Sequence, residues 1–155
     1  MRKVSNRVST SFSLILAYAV LVMLMFFGVA LPFLMDYSPI MLEIKGYFAE
    51  HNGETVFWCW IYALLVSGIV CCGALVMLLT RVRKGLVFSE KTVSIIRFLS
   101  YGCFFIAAIC LAVVYYLHSA YLLTVAAGFL GLCLRVVKNV LSEATVIKTE
   151  NDYTV

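Results

Sequence analysis

The longest stretch of this chain without a charged residue runs from Phe98 to Leu134 and reads FLSYGCFFIAAICLAVVYYLHSAYLLTVAAGFLGLCL. A single α-helix of this length would be about 55 Å long. That is nearly twice the ~30 Å hydrocarbon core of a bilayer. The segment must therefore fold back on itself, and its only polar break is Leu117-His118-Ser119. The stretch predicts two helices joined by a very short turn.

Two further intervals without charge, Val8–Met35 and Thr55–Thr80, are each long enough for one crossing, which takes ~20 apolar residues. The whole chain has 155 residues, the size of one domain. We predict one domain over residues 1–155, an all-α integral membrane bundle of four transmembrane helices. The predicted spans are about 12–35, 55–80, 96–117 and 119–137, followed by a tail over 138–155.

The overall composition excludes a soluble enzyme and a disordered chain. Hydrophobic residues make up 64% and charged residues 13%, and the mean hydropathy is +1.03. A soluble domain is usually about 45–50% apolar and about 25% charged. A protein of 17.3 kDa has too much surface for its volume to bury so many apolar side chains in water.

The first predicted span has a signal-peptide alternative. Arg2, Lys3 and Arg7 resemble the basic start of a secretory signal, and Val29-Ala30 resembles a cleavage site. The apolar run from Phe12 to Met35, however, is longer than the ~7–15 residues of a signal core. We expect this span to be retained.

The basic residues predict the orientation, because Lys and Arg accumulate in cytoplasmic loops. Of the 12 basic residues, Lys45 alone falls in the acidic first loop. The others flank the opposite ends of the predicted spans. We therefore predict a multi-pass membrane protein with both termini in the cytoplasm. The net charge of +4 then reflects topology and gives no reason to expect binding to nucleic acid.

The first loop contains a predicted amphipathic helix that lies along the outer interface or caps the bundle. Pro39 suits the first turn of a helix, and Asn52-Gly53 ends the segment with a turn. Apolar residues recur at helical spacing between them: Ile40, Met41, Ile44, Tyr47 and Phe48. A metal site on this side is a minor alternative to solvated histidines, formed by His51 and His118 with Asp36, Glu50 and Glu54.

The second loop contains a helix end and a helix start. Gly85 suits a helix C-terminus, and Ser89 suits the N-cap of a helix that begins near Glu90. After the fourth span, apolar residues continue at helical spacing from Val136 to Ile147 and predict a cytoplasmic amphipathic tail.

This chain resembles the domain of unknown function 2975 (DUF2975) family of YoaS-like small bacterial membrane proteins. The resemblance rests on Lys84-Gly85-Leu86-Val87-Phe88-Ser89, which matches a KGxxFS entry to the third helix, and on the arginine that follows, Arg97. The end of the chain, Glu150-Asn151-Asp152-Tyr153-Thr154-Val155, is similar to the family's E-N-D-L-T-[IV] terminus, with tyrosine in place of leucine. The family has no established activity. The resemblance implies a pairing with a small helix-turn-helix transcriptional regulator.

Small residues on two spans predict close helix packing, since they let backbones approach within a membrane. They form the bundle contacts or, alternatively, a homodimer contact. The six cysteines include no CxxC pair and are read as packing residues, not as redox groups. The predicted packing residues are Ala63, Ser67, Gly68, Cys71 and Cys72 on span two and Thr124, Gly128 and Gly131 on span four.

The sequence shows no P-loop, HExxH, GxSxG or zinc spacing, so we expect no enzymatic activity and no cofactor or metal. The intervals without charge also lack the membrane carboxylate that an ion-coupled exporter requires. Two hypotheses remain: a regulatory or scaffold partner, and a subunit of an oligomeric small-molecule or lipid transporter. The candidate surface for a partner or for lipid headgroups comprises Arg81, Arg83, Lys84, Phe88, Glu150, Asp152 and Tyr153.

Overall fold

A computed structural model describes the backbone of residues 2–37, 39–50, 53–114 and 118–153. Within these ranges, the side chains of residues 2–9, 34–36, 40–41, 44, 47, 50, 54 and 151–153 are not described. The described chain is entirely helical apart from its connections. It forms α1 Arg2–Tyr37, α2 Pro39–Glu50, α3 Glu54–Arg83, α4 Glu90–Val113 and α5 Ala120–Tyr153.

Four of these helices are long and apolar enough to cross a membrane. Their candidate spans are Thr10–Phe33, Thr55–Arg83, Glu90–Val113 and Ala120–Glu150. The described residues include no strand. The predicted fold class, an all-helical membrane protein with four spans, is therefore confirmed.

The four long helices pack side by side in chain order, α1 on α3, α3 on α4 and α4 on α5. Between the described residues, α1 and α5 make no contact, so the helices form a row. Neighbours in the row run antiparallel. One end of the row, where α3 ends and α4 begins, is called the basic end below. The other end, where α2 connects α1 to α3, is called the α2 end.

A buried apolar cluster lies at the α2 end. Leu31, Phe48, Phe57 and Val113 form one apolar cluster that joins α1, α2, α3 and α4. The rings of Phe48 and Phe57 are 5.3 Å apart between centroids, a distance typical of favourable aromatic pairs. Phe48 therefore anchors α2 to the long helices. The other apolar side chains of the predicted amphipathic face lie outside the described residues, so the interfacial position of α2 stays a prediction.

The loop between α3 and α4 follows the predicted capping rules. Gly85 has a φ of 76°, a left-handed conformation that glycine adopts without steric cost. The N–H of Gly85 donates to Val82 O and that of Leu86 to Arg81 O, which together form a Schellman motif. Ser89 caps α4, because its Oγ accepts a hydrogen bond from the N–H of Thr92.

The predicted reversal after the third span is present between α4 and α5. α4 ends at Val113 and α5 begins at Ala120, where the N–H of Tyr121 donates to His118 O over 3.1 Å. Leu117, the first residue of the predicted turn, lies outside the described residues. α5 then continues as one helix to Tyr153, so the tail after residue 137 extends the fourth span by about 24 Å.

Candidate functional site

The basic end brings the loop between α3 and α4 next to the last turns of α5. Arg83 and Lys84 are exposed at the end of α3, whereas Arg81 is half-buried beside α4. Because α4 and α5 run antiparallel, the first turns of α4 pack against the last turns of α5. This juxtaposition gives one continuous face that carries both charged and apolar side chains.

Phe88 is the apolar centre of this face. The residue is 48% exposed, and Lys148 Nζ lies 6.0 Å from the ring centroid. A cation in this position contributes about 0.5–1 kcal/mol at an exposed site. The contact joins the loop to α5, and it leaves about half of the ring available to another molecule.

Hydrogen bonds hold the backbone on both sides of Phe88. The Thr92 hydroxyl donates to Leu86 O over 2.8 Å, and the hydroxyls of Ser89 and Thr92 are 2.9 Å apart. Thr92 is buried at 1% exposure, so this bond is shielded from water. These hydrogen bonds fix the loop around Phe88. Three residues of the KGxxFS motif have structural roles in it: Lys84 is the C-cap of α3, Gly85 adopts the left-handed conformation, and Ser89 caps α4.

A groove of about 610 Å³ lies between α4 and α5 at the same end. It contains carboxylates, one guanidinium and several hydroxyls, so it offers both donors and acceptors to a bound molecule. Two of its hydroxyls, of Thr145 and Thr149, already donate to carbonyls one turn earlier in α5. The lining residues are Glu90, Val93, Ser94, Arg97, Ser142, Thr145, Val146, Thr149 and Glu150.

The structure adds Arg97 and Lys148 to the candidate surface. Glu150 lines the groove together with Arg97, but the side chains of Asp152 and Tyr153 lie outside the described residues. Beside the ring of Phe88 the structure places Lys148 of α5, a residue that the sequence analysis did not assign to the candidate surface. This contact depends on the register of α4 against α5. The hydropathy pattern of either helix does not predict that register.

A family model described as "Protein of unknown function (DUF2975)" matches residues 8–155. The chain belongs to this family. No curated protein and no solved structure matches the chain. This membership confirms the resemblance that was based on the KGxxFS loop and the C-terminal motif. The family description assigns no activity.

The small residues of α3 in this DUF2975 member face two different neighbours. The row Gly68 and Cys72 faces α1, where Cys72 Sγ lies 3.5 Å from Ala17 O. The row Ala63, Ser67 and Cys71 lines the space between α3 and α4.

Cys71 of α3 packs directly against Gly102 of α4. A Cβ built on Gly102 of α4 would lie only 2.5 Å from Cys71 Sγ. The cysteine and the glycine together therefore set how closely these two helices pack.

The small residues of α5 differ in their surroundings. Gly131 packs against the ring of Phe104, and its carbonyl accepts a 2.8 Å hydrogen bond from Ser100 Oγ. Gly128 has open space where a Cβ would lie. The Thr124 hydroxyl donates to Ala120 O within its own helix. Gly131 is thus the point at which α5 approaches α4 most closely among these three.

The minor metal hypothesis falls mostly on residues that are not described. His118 is exposed at the α2 end, but the side chains of Asp36, Glu50, His51 and Glu54 lie outside the described set. Among the side chains that the structure does describe, no three His, Cys, Asp or Glu form a group able to hold a metal ion.

Proposed function

We propose that this protein is a non-enzymatic regulatory or scaffold protein of the bacterial plasma membrane. Its binding face is the basic end, where Arg83, Lys84 and Phe88 lie beside the end of α5. Its partner is a soluble protein, and the resemblance to DUF2975 makes a small helix-turn-helix regulator the first candidate.

The observation that carries the proposal is the half-exposed ring of Phe88 on a rigid loop, with charges of both signs around it. Protein-binding patches typically combine an exposed aromatic centre with a polar rim. A site for nucleic acid would instead need a continuous basic stripe. Glu90, Glu143 and Glu150 interrupt the basic residues here, which favours a protein partner.

The proposed orientation has the basic end in the cytoplasm. It is supported by the accumulation of Lys and Arg at that end, because such residues resist translocation. In a cysteine-free background, a cysteine introduced at Glu50 should react with a membrane-impermeant maleimide added to intact cells. A cysteine introduced at Ser142 should react only after the cells are opened. Labelling of Ser142→Cys alone in intact cells would reverse the proposed orientation.

The partner face is tested by affinity capture of the intact chain from a mild detergent. We expect Phe88→Ala and a deletion of residues 148–155 each to reduce capture of the partner at least about tenfold, as loss of a central contact does. Leu42→Ala, which removes a half-exposed side chain at the α2 end, is the matched control. If both variants insert normally and capture the same proteins as the unaltered chain, the basic end is not the binding face.

The transporter hypothesis is the second candidate. An apolar groove of about 630 Å³ between α3 and α4 favours it, since such a groove fits a hydrophobic substrate. A row of four helices does not enclose this groove, so transport requires a second copy to close it. Uptake or efflux of a hydrophobic dye by reconstituted vesicles, compared with empty vesicles, distinguishes the two functions.

A further inference from the structure

The groove between α3 and α4 continues towards the basic end and changes character on the way. Its upper part is almost wholly apolar and includes Val66, Val70 and Phe98. Its lower part, about 620 Å³, begins at Val70 and Phe98 and ends at Arg81 and Lys91. The two parts thus form one channel along the helix pair, open on its side, with two cations at one mouth.

The small side chains of α3 create the lower part of the groove. A Cβ built on Gly73 would meet no atom within 4 Å, and Ala74 lines the same wall. From Val70 to Arg81 the helix rises about 16 Å. This equals about half of the ~30 Å hydrocarbon core of a bilayer. The lower groove therefore has the length of an acyl chain in one leaflet.

We propose that this lower groove binds an anionic phospholipid of the leaflet at the basic end. One acyl chain lies along Gly73 and Met77, and the phosphate lies between Arg81 and Lys91. The Ser94 hydroxyl, which lines the same mouth, donates to a phosphate oxygen.

The charge of the mouth selects the headgroup. Arg81 offers a planar pair of donors that fits a phosphate, and Lys91 adds a second positive charge. A zwitterionic headgroup would place its own ammonium group near these two cations and be repelled. The described side chains that line this mouth include no carboxylate, and the acidic Glu90 lines the neighbouring groove between α4 and α5.

The test measures lipid binding to the full chain by native mass spectrometry from detergent. The probes are phosphatidylglycerol and phosphatidylethanolamine with identical acyl chains. We expect Arg81→Gln/Lys91→Gln to lower the preference for phosphatidylglycerol about tenfold or more, because each basic residue near the surface attracts anionic lipid. Arg2→Gln/Lys3→Gln removes the same charge from the start of α1 and should keep the preference. Arg81→Lys/Lys91→Arg keeps the charge and should bind nearly as well.

A second variant tests the groove itself. Gly73→Leu fills the space for the acyl chain without changing charge, and we expect it to reduce binding of both lipids. Equal losses from the two glutamine pairs would show diffuse attraction to the basic end and would overturn the proposal. Unchanged binding by Gly73→Leu would overturn it as well. If Gly73→Leu instead converts a dimer to a monomer and leaves lipid preference intact, the occupant is a second copy of this chain, and the lipid proposal is wrong.

Discussion

The contact between Gly102 and Cys71 predicts an unusually sensitive position in the middle of the helix row. In Gly102→Ala the new Cβ would lie 2.5 Å from Cys71 Sγ, about 1 Å closer than the ~3.5–4.0 Å of a favourable contact. Either the thiol must rotate or α3 and α4 must separate. Inserting a methyl group into a packed site typically costs about 1–3 kcal/mol.

The same substitution also raises helix propensity, by about 0.8–1.0 kcal/mol in favour of the variant. Gly128→Ala isolates this gain, because its Cβ would meet no atom within 4 Å. We therefore expect Gly102→Ala to be less stable than Gly128→Ala by about 1–3 kcal/mol. For a chain of this size, about 2 kcal/mol corresponds to a difference of roughly 4–8 °C in Tm.

The assay is thermal unfolding in detergent, followed by the fluorescence of the two tryptophans. The double variant Cys71→Ala/Gly102→Ala removes the sulfur that the new methyl group meets. It should recover about 1–2 kcal/mol relative to the sum of the single variants, as contacting residues do in a double-mutant cycle. If Gly102→Ala melts at the same temperature as Gly128→Ala, or if Cys71→Ala gives no recovery, the close packing of α3 on α4 is refuted.

Three further substitutions probe other parts of the fold in the same unfolding assay. Gly85→Ala places a β-carbon on a residue in the left-handed region and should lower the free energy of unfolding by about 1–2 kcal/mol. Gly46→Ala, in open helical surroundings, should not destabilise the protein. Equal effects of the two substitutions would contradict the loop geometry. Ser89→Ala removes the α4 cap and should cost about 1 kcal/mol, with Ser89→Asn retaining most of the stability; an alanine variant as stable as the parent chain would exclude the cap. Phe48→Ala empties the cluster at the α2 end and should cost about 3–5 kcal/mol, whereas Phe12→Ala, which is 69% exposed, should have a small effect; comparable losses would show that Phe48 anchors nothing.

Local rules predicted more of this structure than long-range patterns did. The number of membrane helices follows from intervals without charge, and the loop between α3 and α4 follows from the conformational preferences of Gly85 and Ser89. These features depend on residues that are close together in the chain, so the sequence predicts them without knowledge of the packing between helices.

The arrangement of the helices in a row was not predictable in the same way. In the 18-residue apolar window of α1 only 11% of the residues are buried, and many of its exposed side chains are also apolar. Hydropathy therefore does not show which face meets which neighbour. The two rows of small residues on α3 indicated close packing, but only the structure shows that one faces α1 and the other faces α4. The contact between Lys148 and Phe88 likewise requires the register of two helices.

The antiparallel register of α4 and α5 has a consequence for the shape of the surrounding bilayer. Arg135 Cζ lies 5.4 Å from the ring centroid of Tyr101 of α4, and the next residue of α4, Gly102, faces Cys71 of α3. Arg135 thus lies at the depth of Cys71, about 15 Å short of Arg81 along the axis of α3. The apolar part of α5, from Ala120 to Leu134, rises only about 22 Å, less than the ~30 Å that a bilayer presents.

A helix with so short an apolar length draws the headgroups towards it, because thinning the hydrocarbon costs less than burying a guanidinium. The row is therefore wedge-like in hydrophobic thickness, thick at α3 and thin at α5. In a bilayer, matching this difference requires either headgroups that lie deeper beside α5 at the basic end or an Arg135 side chain that extends towards them. A protein of this shape would prefer thin or locally deformed bilayers, and in a flat, thick bilayer its copies would tend to gather with their α5 edges together.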